Sequence, residues 1–91
     1  MNINKYSNPS IVMKKAKELH LNPILLSSRK DKKYMVLNPK TDKMVHFGQM
    51  SHEDYTKHND TKRREAFRKR NHKWATAEKY SPAWLSYYLT W

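Results

Sequence analysis

The densest group of side chains that could do chemistry is a run of cations from Lys57 to Lys73. This run has eight Lys or Arg residues against two acids, Asp60 and Glu65, and so a net charge of +6. The eight cations are Lys57, Lys62, Arg63, Arg64, Arg68, Lys69, Arg70 and Lys73. Closely spaced ammonium and guanidinium groups bind phosphates, whereas a merely solvated helix normally alternates its charge signs. The run therefore predicts a surface that binds nucleic acid, with DNA favoured, or an acidic protein surface.

A second group brings histidines and carboxylates together in residues 46–60. Its members are His46, His52, His58, Glu53, Asp54 and Asp60. Imidazole and carboxylate groups could bind a divalent metal, or act as base and acid in phosphodiester hydrolysis. No histidine pair here has the His-x3-His spacing that places two ligands on one helical turn, so a metal-dependent nuclease is the least favoured alternative. We expect no metal, no cofactor and no catalysis, and instead a structural polar network made of His46, Asp54, His58 and Asp60.

Large aromatic side chains are concentrated in the last eighteen residues of the chain. They are Trp74, Tyr80, Trp84, Tyr87, Tyr88 and Trp91. Such rings can supply much of the buried area of a small core, and they can also stack on unpaired nucleic-acid bases. Core packing is the favoured interpretation. Four of the rings are also candidates for anchors onto a partner: Trp74, Trp84, Tyr88 and Trp91.

The elements that must position these groups are predicted from the spacing of apolar residues. Asn8 followed by Pro9 predicts the start of a helix that ends near residues 20–22. Its apolar face would consist of Val12, Ala16 and Leu19.

Three short runs then predict a three-stranded antiparallel meander. They cover residues 24–30, 32–38 and 43–48 and are separated by turn residues. Tyr34 and Val36 share one face of the second strand, Val45 and Phe47 share one face of the third, and one face of the sheet should pack on the helices. Gly48, the single glycine, would close the third strand at a positive φ.

The remaining elements are helical. Ser51, three residues before Asp54, predicts the cap of a short helix or turn in residues 52–58. Asp60 or Thr61 would cap the basic helix, which is predicted to continue through residue 76. On it, Phe67 and Trp74 would share a stripe flanked by Arg63 and Arg70, which we expect to be the least exposed of its cations. Ser81 and Pro82 predict the start of a final aromatic helix, so the fold class is α+β.

Length and composition limit the class of protein. A chain of 91 residues predicts a single small basic domain over residues 1–91, with residues 1–8 flexible. A net charge of +11 repels itself in the compact state unless a partner neutralises it. The absence of cysteine excludes disulfides, thiolate zinc sites and cysteine nucleophiles. No stretch approaches the roughly eighteen apolar residues of a spanning helix, and the single glycine excludes a Gly-rich phosphate loop. We therefore expect a soluble protein with no membrane span and no small-molecule substrate.

Several of these residues form a pattern with a known counterpart. The pattern is His46-Phe47-Gly48, Asp54-Tyr55-Thr56-x-His58-x-Asp60, Arg63-Arg64, Arg70, Ser81, Leu85-Ser86 and Trp91. Over residues 30–91 it resembles a family of small, basic, functionally uncharacterised proteins encoded by large double-stranded DNA viruses of algae and protists. Asn71 stands where that family often has His. The resemblance implies a viral origin and a location in the virion, and in the host cytoplasm or nucleus during infection, and it makes no residue catalytic.

The leading hypothesis is a virion-associated structural protein whose basic helix neutralises DNA phosphates without catalysis. About five phosphate contacts would give log K a slope against log salt of about −4 to −5. The alternative is a minor capsid or cement protein that bridges acidic surfaces of capsid proteins, with the aromatic residues as anchors. Sequence does not distinguish DNA, RNA and protein as the partner, and it leaves the oligomeric state open.

Overall fold

The chain folds as a three-stranded antiparallel sheet with helices before and after it, in a computed structural model that describes residues 3–91. The α+β prediction is confirmed. The helices are α1 (Pro9–Glu18), α2 (Tyr55–His58), α3 (Thr61–Arg70) and α4 (Pro82–Leu85), and the strands are β1 (Leu25–Leu26), β2 (Lys32–Asn38) and β3 (Lys43–Gln49). Short 3-10 segments cover Ile3–Lys5 and His72–Thr76, and α4 continues as a π-helix over Ser86–Thr90.

Helix α1 begins with Pro9 in its first turn, as predicted, and buries Val12 and Ala16. It ends at Glu18, where His20 takes a left-handed φ of 58° and the Leu21 amide donates to the Ala16 carbonyl. This arrangement is a Schellman motif. Because the helix stops there, Leu19 becomes the C-cap and stays 38% exposed, contrary to its predicted place on the buried face.

The sheet has the order β1-β2-β3, with both neighbouring pairs antiparallel. Tyr34 lies opposite Phe47 and Val36 opposite Val45, so these four residues share one face. Tyr34, Val36 and Phe47 are buried. The predicted meander and its inward face are confirmed, but the first strand covers only Leu25–Leu26 of the predicted residues 24–30.

The hydrophobic core forms where this face meets α1 and the C-terminal helical segment. Its buried members are Val12, Ala16, Ile24, Tyr34, Val36, Phe47, Tyr80, Leu85 and Leu89. Ser81 caps α4 by accepting a hydrogen bond from the Trp84 amide at 3.2 Å, which confirms the predicted start of the aromatic helix. The core therefore packs α1 and the C-terminal helical segment against the same face of the sheet.

A buried polar network ties the N-terminal segment to the sheet and to α2. Ser7 is hydrogen-bonded to the Tyr34 hydroxyl at 2.6 Å and to Thr56 at 3.1 Å. Thr56 in turn donates to Asp54, whose other carboxylate oxygen is 3.1 Å from Lys33 Nζ. Residues 1 and 2, part of the segment predicted to be flexible, lie outside the described residues. From Ile3 onward that segment is instead folded onto the protein, with Ser7 buried.

Two helix boundaries differ from the prediction. Helix α2 is capped by Asp54, which accepts from the Thr56 amide, and not by Ser51. Helix α3 starts at the predicted cap, Asp60, but ends at Arg70 instead of continuing through residue 76. The Asn71 amide makes the last helical bond, to the Phe67 carbonyl, and Asn71 itself leaves the helical conformation, with φ −117° and ψ 32°. Its side-chain amide donates to the same carbonyl at 3.0 Å, a local bond typical of Asn at the end of a helix. Within residues 3–91, no helix is long and apolar enough to cross a membrane.

Candidate nucleic-acid interface

The outward side of α3 presents four exposed cations. Seven residues are about two helical turns, so Lys62 and Lys69 form one stripe, and Arg63 and Arg70 form the next. All four side chains are exposed. We call these four residues the outer stripes. Asp60 fixes the start of the helix beneath them by accepting from the Lys62 and Arg63 amides at 3.0 and 3.2 Å.

The outer stripes keep most of their charge free of internal ion pairs. Arg63 approaches Glu53 at 4.0 Å, at the limit of a salt bridge and with both side chains about half exposed. Within residues 3–91, no ion pair involves Lys62, Lys69 or Arg70. Lys57 and Lys73, at the end of α2 and in the 3-10 segment after α3, are also exposed. Six of the eight predicted cations are therefore on the surface.

The other two, Arg64 and Arg68, lie on the inner side of α3. Arg64 Nε donates to the main-chain oxygen of Trp91 at 2.8 Å, and its guanidinium lies 4.8 Å from the centre of the Tyr55 ring. A terminal nitrogen of Arg68 is 3.3 Å from the same Trp91 oxygen, and the Arg68 guanidinium lies 4.7 Å from the centre of the Tyr87 ring. Because these donors point into the protein, Arg64 and Arg68 are not placed to make the phosphate contacts predicted for them.

The expectation that Arg63 and Arg70 would be the least exposed cations is therefore wrong. The inner side of α3 is centred between Phe67 and Arg68, so Arg64 and Arg68 are half-buried and Arg63 and Arg70 are exposed. Burial first, and then the like charges of Arg64 and Arg68, lower the pKa of Lys15 on α1. These inner cations stabilise the packing of α3 on the C-terminal segment.

The predicted polar network of four residues is not formed as one unit. His46 lies on the outer face of the sheet, opposite Met35, and its Nδ1 is 2.7 Å from the Ser27 hydroxyl. Asp54 pairs instead with Lys33, whose pKa is lowered by burial despite the opposing effect of that carboxylate. His58 and Asp60 do meet, since the Asp60 amide donates to His58 Nδ1 at 2.9 Å. Within residues 3–91, no group of three or more His, Cys, Asp or Glu side chains is arranged to hold a metal ion.

The four predicted aromatic anchors are half-buried and contact other rings. Trp91 stacks on Phe67 with ring centres 4.3 Å apart and planes 6° from parallel, and Trp74 meets Phe67 edge-on at 5.6 Å. Trp84 and Tyr88 form a separate pair at 4.9 Å, and the Tyr88 hydroxyl donates to the Ala75 carbonyl at 2.8 Å. These rings therefore pack against one another within the protein, in agreement with the favoured prediction.

The structure also brings together residues that no sequence pattern groups. The end of β3, one side of α3 and the C-terminal segment enclose a cleft of about 730 Å³. Lys32 and Gln49, paired across β2 and β3, line it together with Phe67 and Trp74. No spacing signal could have revealed this cleft, because its walls are distant in sequence.

Comparison with protein families gives one match. A model described as a family of unknown function, DUF5754, matches residues 23–71, which is more than half of the chain. The chain belongs to this family. The match to DUF5754 begins just before β1 and ends at the residue after α3, so it includes the whole sheet and the outer stripes but not α1 or the C-terminal helix. No curated protein and no solved structure is significantly similar to this DUF5754 member.

Proposed function

We propose that this DUF5754 protein binds DNA phosphates through the outer stripes of α3 and catalyses no reaction. The observation that carries the proposal is the exposure of Lys62, Lys69 and Arg70 without an ion pair in the described residues. Unpaired surface cations at close spacing displace the counterions of a polyanion, and this release drives binding. The resemblance to proteins of large double-stranded DNA viruses supports a place for the protein in the virion, on the packaged genome.

The geometry of α3 fits a phosphate backbone. Residues seven apart on a helix are about 10 Å apart along its axis, and one DNA strand carries a phosphate about every 3.4 Å of duplex axis. Each stripe can therefore reach two phosphates of one strand. Contacts to phosphates carry no sequence information directly, so we expect little sequence preference.

The salt dependence of binding tests the proposal directly. Four phosphate contacts predict a slope of log K against log salt of about −3 to −4 for duplex DNA, shallower than eight cations would suggest because the inner arginines are occupied. The affinity should be measured by fluorescence anisotropy between 50 and 200 mM salt, on two 20-bp duplexes of unrelated sequence. The two duplexes should bind alike. A slope near zero would contradict phosphate binding, and intact DNA after incubation with magnesium, manganese or zinc is the expected result for a protein that does not hydrolyse it.

A second candidate function, a minor capsid or cement protein, is favoured by the outer face of the sheet. Leu37 and Met44 are paired across β2 and β3 on this face and are 38% and 39% exposed. Leu25 on β1, which pairs with Met35 on the same face, is 47% exposed. Apolar side chains grouped in this way are typical of protein contacts. Stoichiometric, symmetry-ordered copies in the shell of purified virions would favour this candidate over genome binding, and absence from virions would remove both virion locations.

A further inference from the structure

The cleft between the end of β3 and α3 combines cations with aromatic rings. Its volume, about 730 Å³, lies within the range of pockets that enclose small organic groups. Besides Lys33, which is paired with Asp54, three cations line it, namely Lys32, Arg63 and Arg70. Four aromatic rings also line it, namely Phe47, Phe67, Trp74 and Trp91. The surface is therefore suited to a ligand with both a flat π-system and a negative charge.

The cations come from two different elements on opposite sides of the cleft. Lys32 begins β2, whereas Arg63 and Arg70 form one of the outer stripes of α3. Glu53 is the one carboxylate residue among those that line the cleft in the described chain, and it approaches Arg63 only at 4.0 Å. Lys32 and Arg70 make no ion pair within residues 3–91. An anion in the cleft would therefore meet cations that are not already neutralised.

The rings are held in place by one another. The parallel stack of Phe67 and Trp91 uses one face of each ring. Trp74 meets Phe67 at 79°, and within residues 3–91 no other ring stacks parallel to its indole. A rigid, half-buried indole that borders a cleft is a platform on which a planar base can stack.

We infer that this cleft takes one unpaired nucleotide of single-stranded DNA, with its base on Trp74 and the neighbouring phosphates of the strand on Arg63 and Arg70. The inference rests on the proposed function, because the same stripe would contact the backbone. It goes further, because bases inside a duplex stay stacked on their neighbours and cannot enter a concave site. The outer stripes would bind the phosphates of either form of DNA, and the cleft would add affinity for the single strand alone.

Three DNA ligands of equal length separate the two contributions. Fluorescein-labelled dT12, the same oligonucleotide with abasic sites in place of its bases, and a 12-bp duplex should be compared by anisotropy at 100 mM salt. We expect dT12 to bind about 5- to 150-fold more tightly than the abasic strand, which is the range of a single base–aromatic stack. Binding of dT12 should also quench the tryptophan fluorescence of the protein, and binding of the abasic strand should not.

The outcomes of this comparison are distinct. Equal affinities for dT12 and the abasic strand would overturn the cleft assignment while leaving phosphate binding in place. If none of the three ligands binds, both proposals are overturned. Tighter binding of free dTMP than of dT12 would overturn the single-strand assignment in favour of a free nucleotide.

Two variants test the cleft itself. Trp74→Leu should lower the affinity for dT12 about 5- to 20-fold and leave the affinities for the abasic strand and the duplex unchanged. Because Trp74 also packs on Phe67, a second variant changes the opposite wall: Gln49→Phe, at an exposed position of β3, should fill the cleft and abolish the preference for dT12. Retention of the full preference in a folded Gln49→Phe protein would overturn the inference.

Discussion

The two sides of α3 carry the same charge in different environments. The ten residues of this helix include six cations, of which Lys62, Arg63, Lys69 and Arg70 face outward, and Arg64 and Arg68 face inward. The inner pair contacts the Trp91 oxygen and tyrosine rings. In contrast, Lys62, Lys69 and Arg70 make no ion pair within residues 3–91. The net charge of a segment therefore differs from the charge that is free to bind a partner.

Lys33 extends the comparison to a cation fully inside the fold. Its side chain is 3% exposed and pairs with the 2% exposed carboxylate of Asp54. Its methylene groups also pack beside Gly48, which has a φ of +80° and at which a Cβ would lie 3.3 Å from Lys33 Cβ. Cations within the fold should therefore control stability, and cations outside it should control binding.

The largest effect is expected from the partner of the buried cation. Asp54→Ala would leave the Lys33 ammonium buried without a counter-charge and would remove the cap of α2, so the free energy of unfolding should fall by about 3–5 kcal/mol. Urea denaturation measures this loss. Asp31→Ala, which breaks the exposed pair with Arg29, is the control and should change stability little. A similar small loss in both variants would contradict a special role for the buried pair.

The next effect belongs to the outer stripes. The double variant Lys62→Gln with Lys69→Gln should weaken binding to duplex DNA about 10- to 60-fold at 100 mM salt, because two phosphate contacts and their counterion release are lost. Its unfolding free energy should be unchanged. The control, Lys43→Gln with Lys79→Gln, removes two exposed charges elsewhere on the surface and should weaken binding much less. Equal losses in the two double variants would mean that net charge, and not the outer stripes, determines the affinity.

A smaller effect, on stability only, is expected on the inner side. Arg64→Met keeps the apolar stem but loses the charged hydrogen bond to the Trp91 oxygen and the contact with Tyr55, which should cost about 1–2 kcal/mol. The affinity of the folded protein for DNA should not change. Lys69→Met, on the outer side of the same helix, should give the opposite result, with weaker binding and unchanged stability. A loss of DNA affinity in folded Arg64→Met would show that the inner arginines also reach the partner.

The sequence predicted the features of this fold that depend on local periodicity. The alternation along β2 and β3 identified the buried face, and the residue types at Asn8, Pro9, Asp60 and Ser81 identified where three helices begin. It did not predict which side of α3 would face inward, because that depends on the C-terminal segment, which supplies the Trp91 oxygen and the Tyr87 ring. Strict alternation also predicts an exposed Lys33, which is buried because Asp54, twenty-one residues away, supplies its counter-charge.

His58 connects the inner and outer sides and gives the smallest predicted effect. Its ring lies 5.2 Å from the Trp91 ring, and its Nδ1 accepts from the Asp60 amide. Burial first, and then the nearby Arg63, lower the pKa of His58 below its ordinary value of 6.5. The unfolded chain therefore takes up a proton at this residue more readily than the folded protein does, so its contribution to stability is complete above pH 6.5 and declines as the pH falls below it.

The charge of Arg63 makes this histidine a reporter of the outer stripes. A DNA phosphate on Arg63 would offset the guanidinium charge, so the pKa of His58 should rise when duplex DNA is added, as should also occur in Arg63→Gln without DNA. NMR titration of the His58 ring measures both changes, and His58→Gln identifies its signal. In Arg63→Gln, added DNA should then have less effect on the pKa. An unchanged His58 pKa in saturated wild-type protein would mean that the bound phosphate does not lie at Arg63, and would leave Lys62, Lys69 and Arg70 as the DNA contacts.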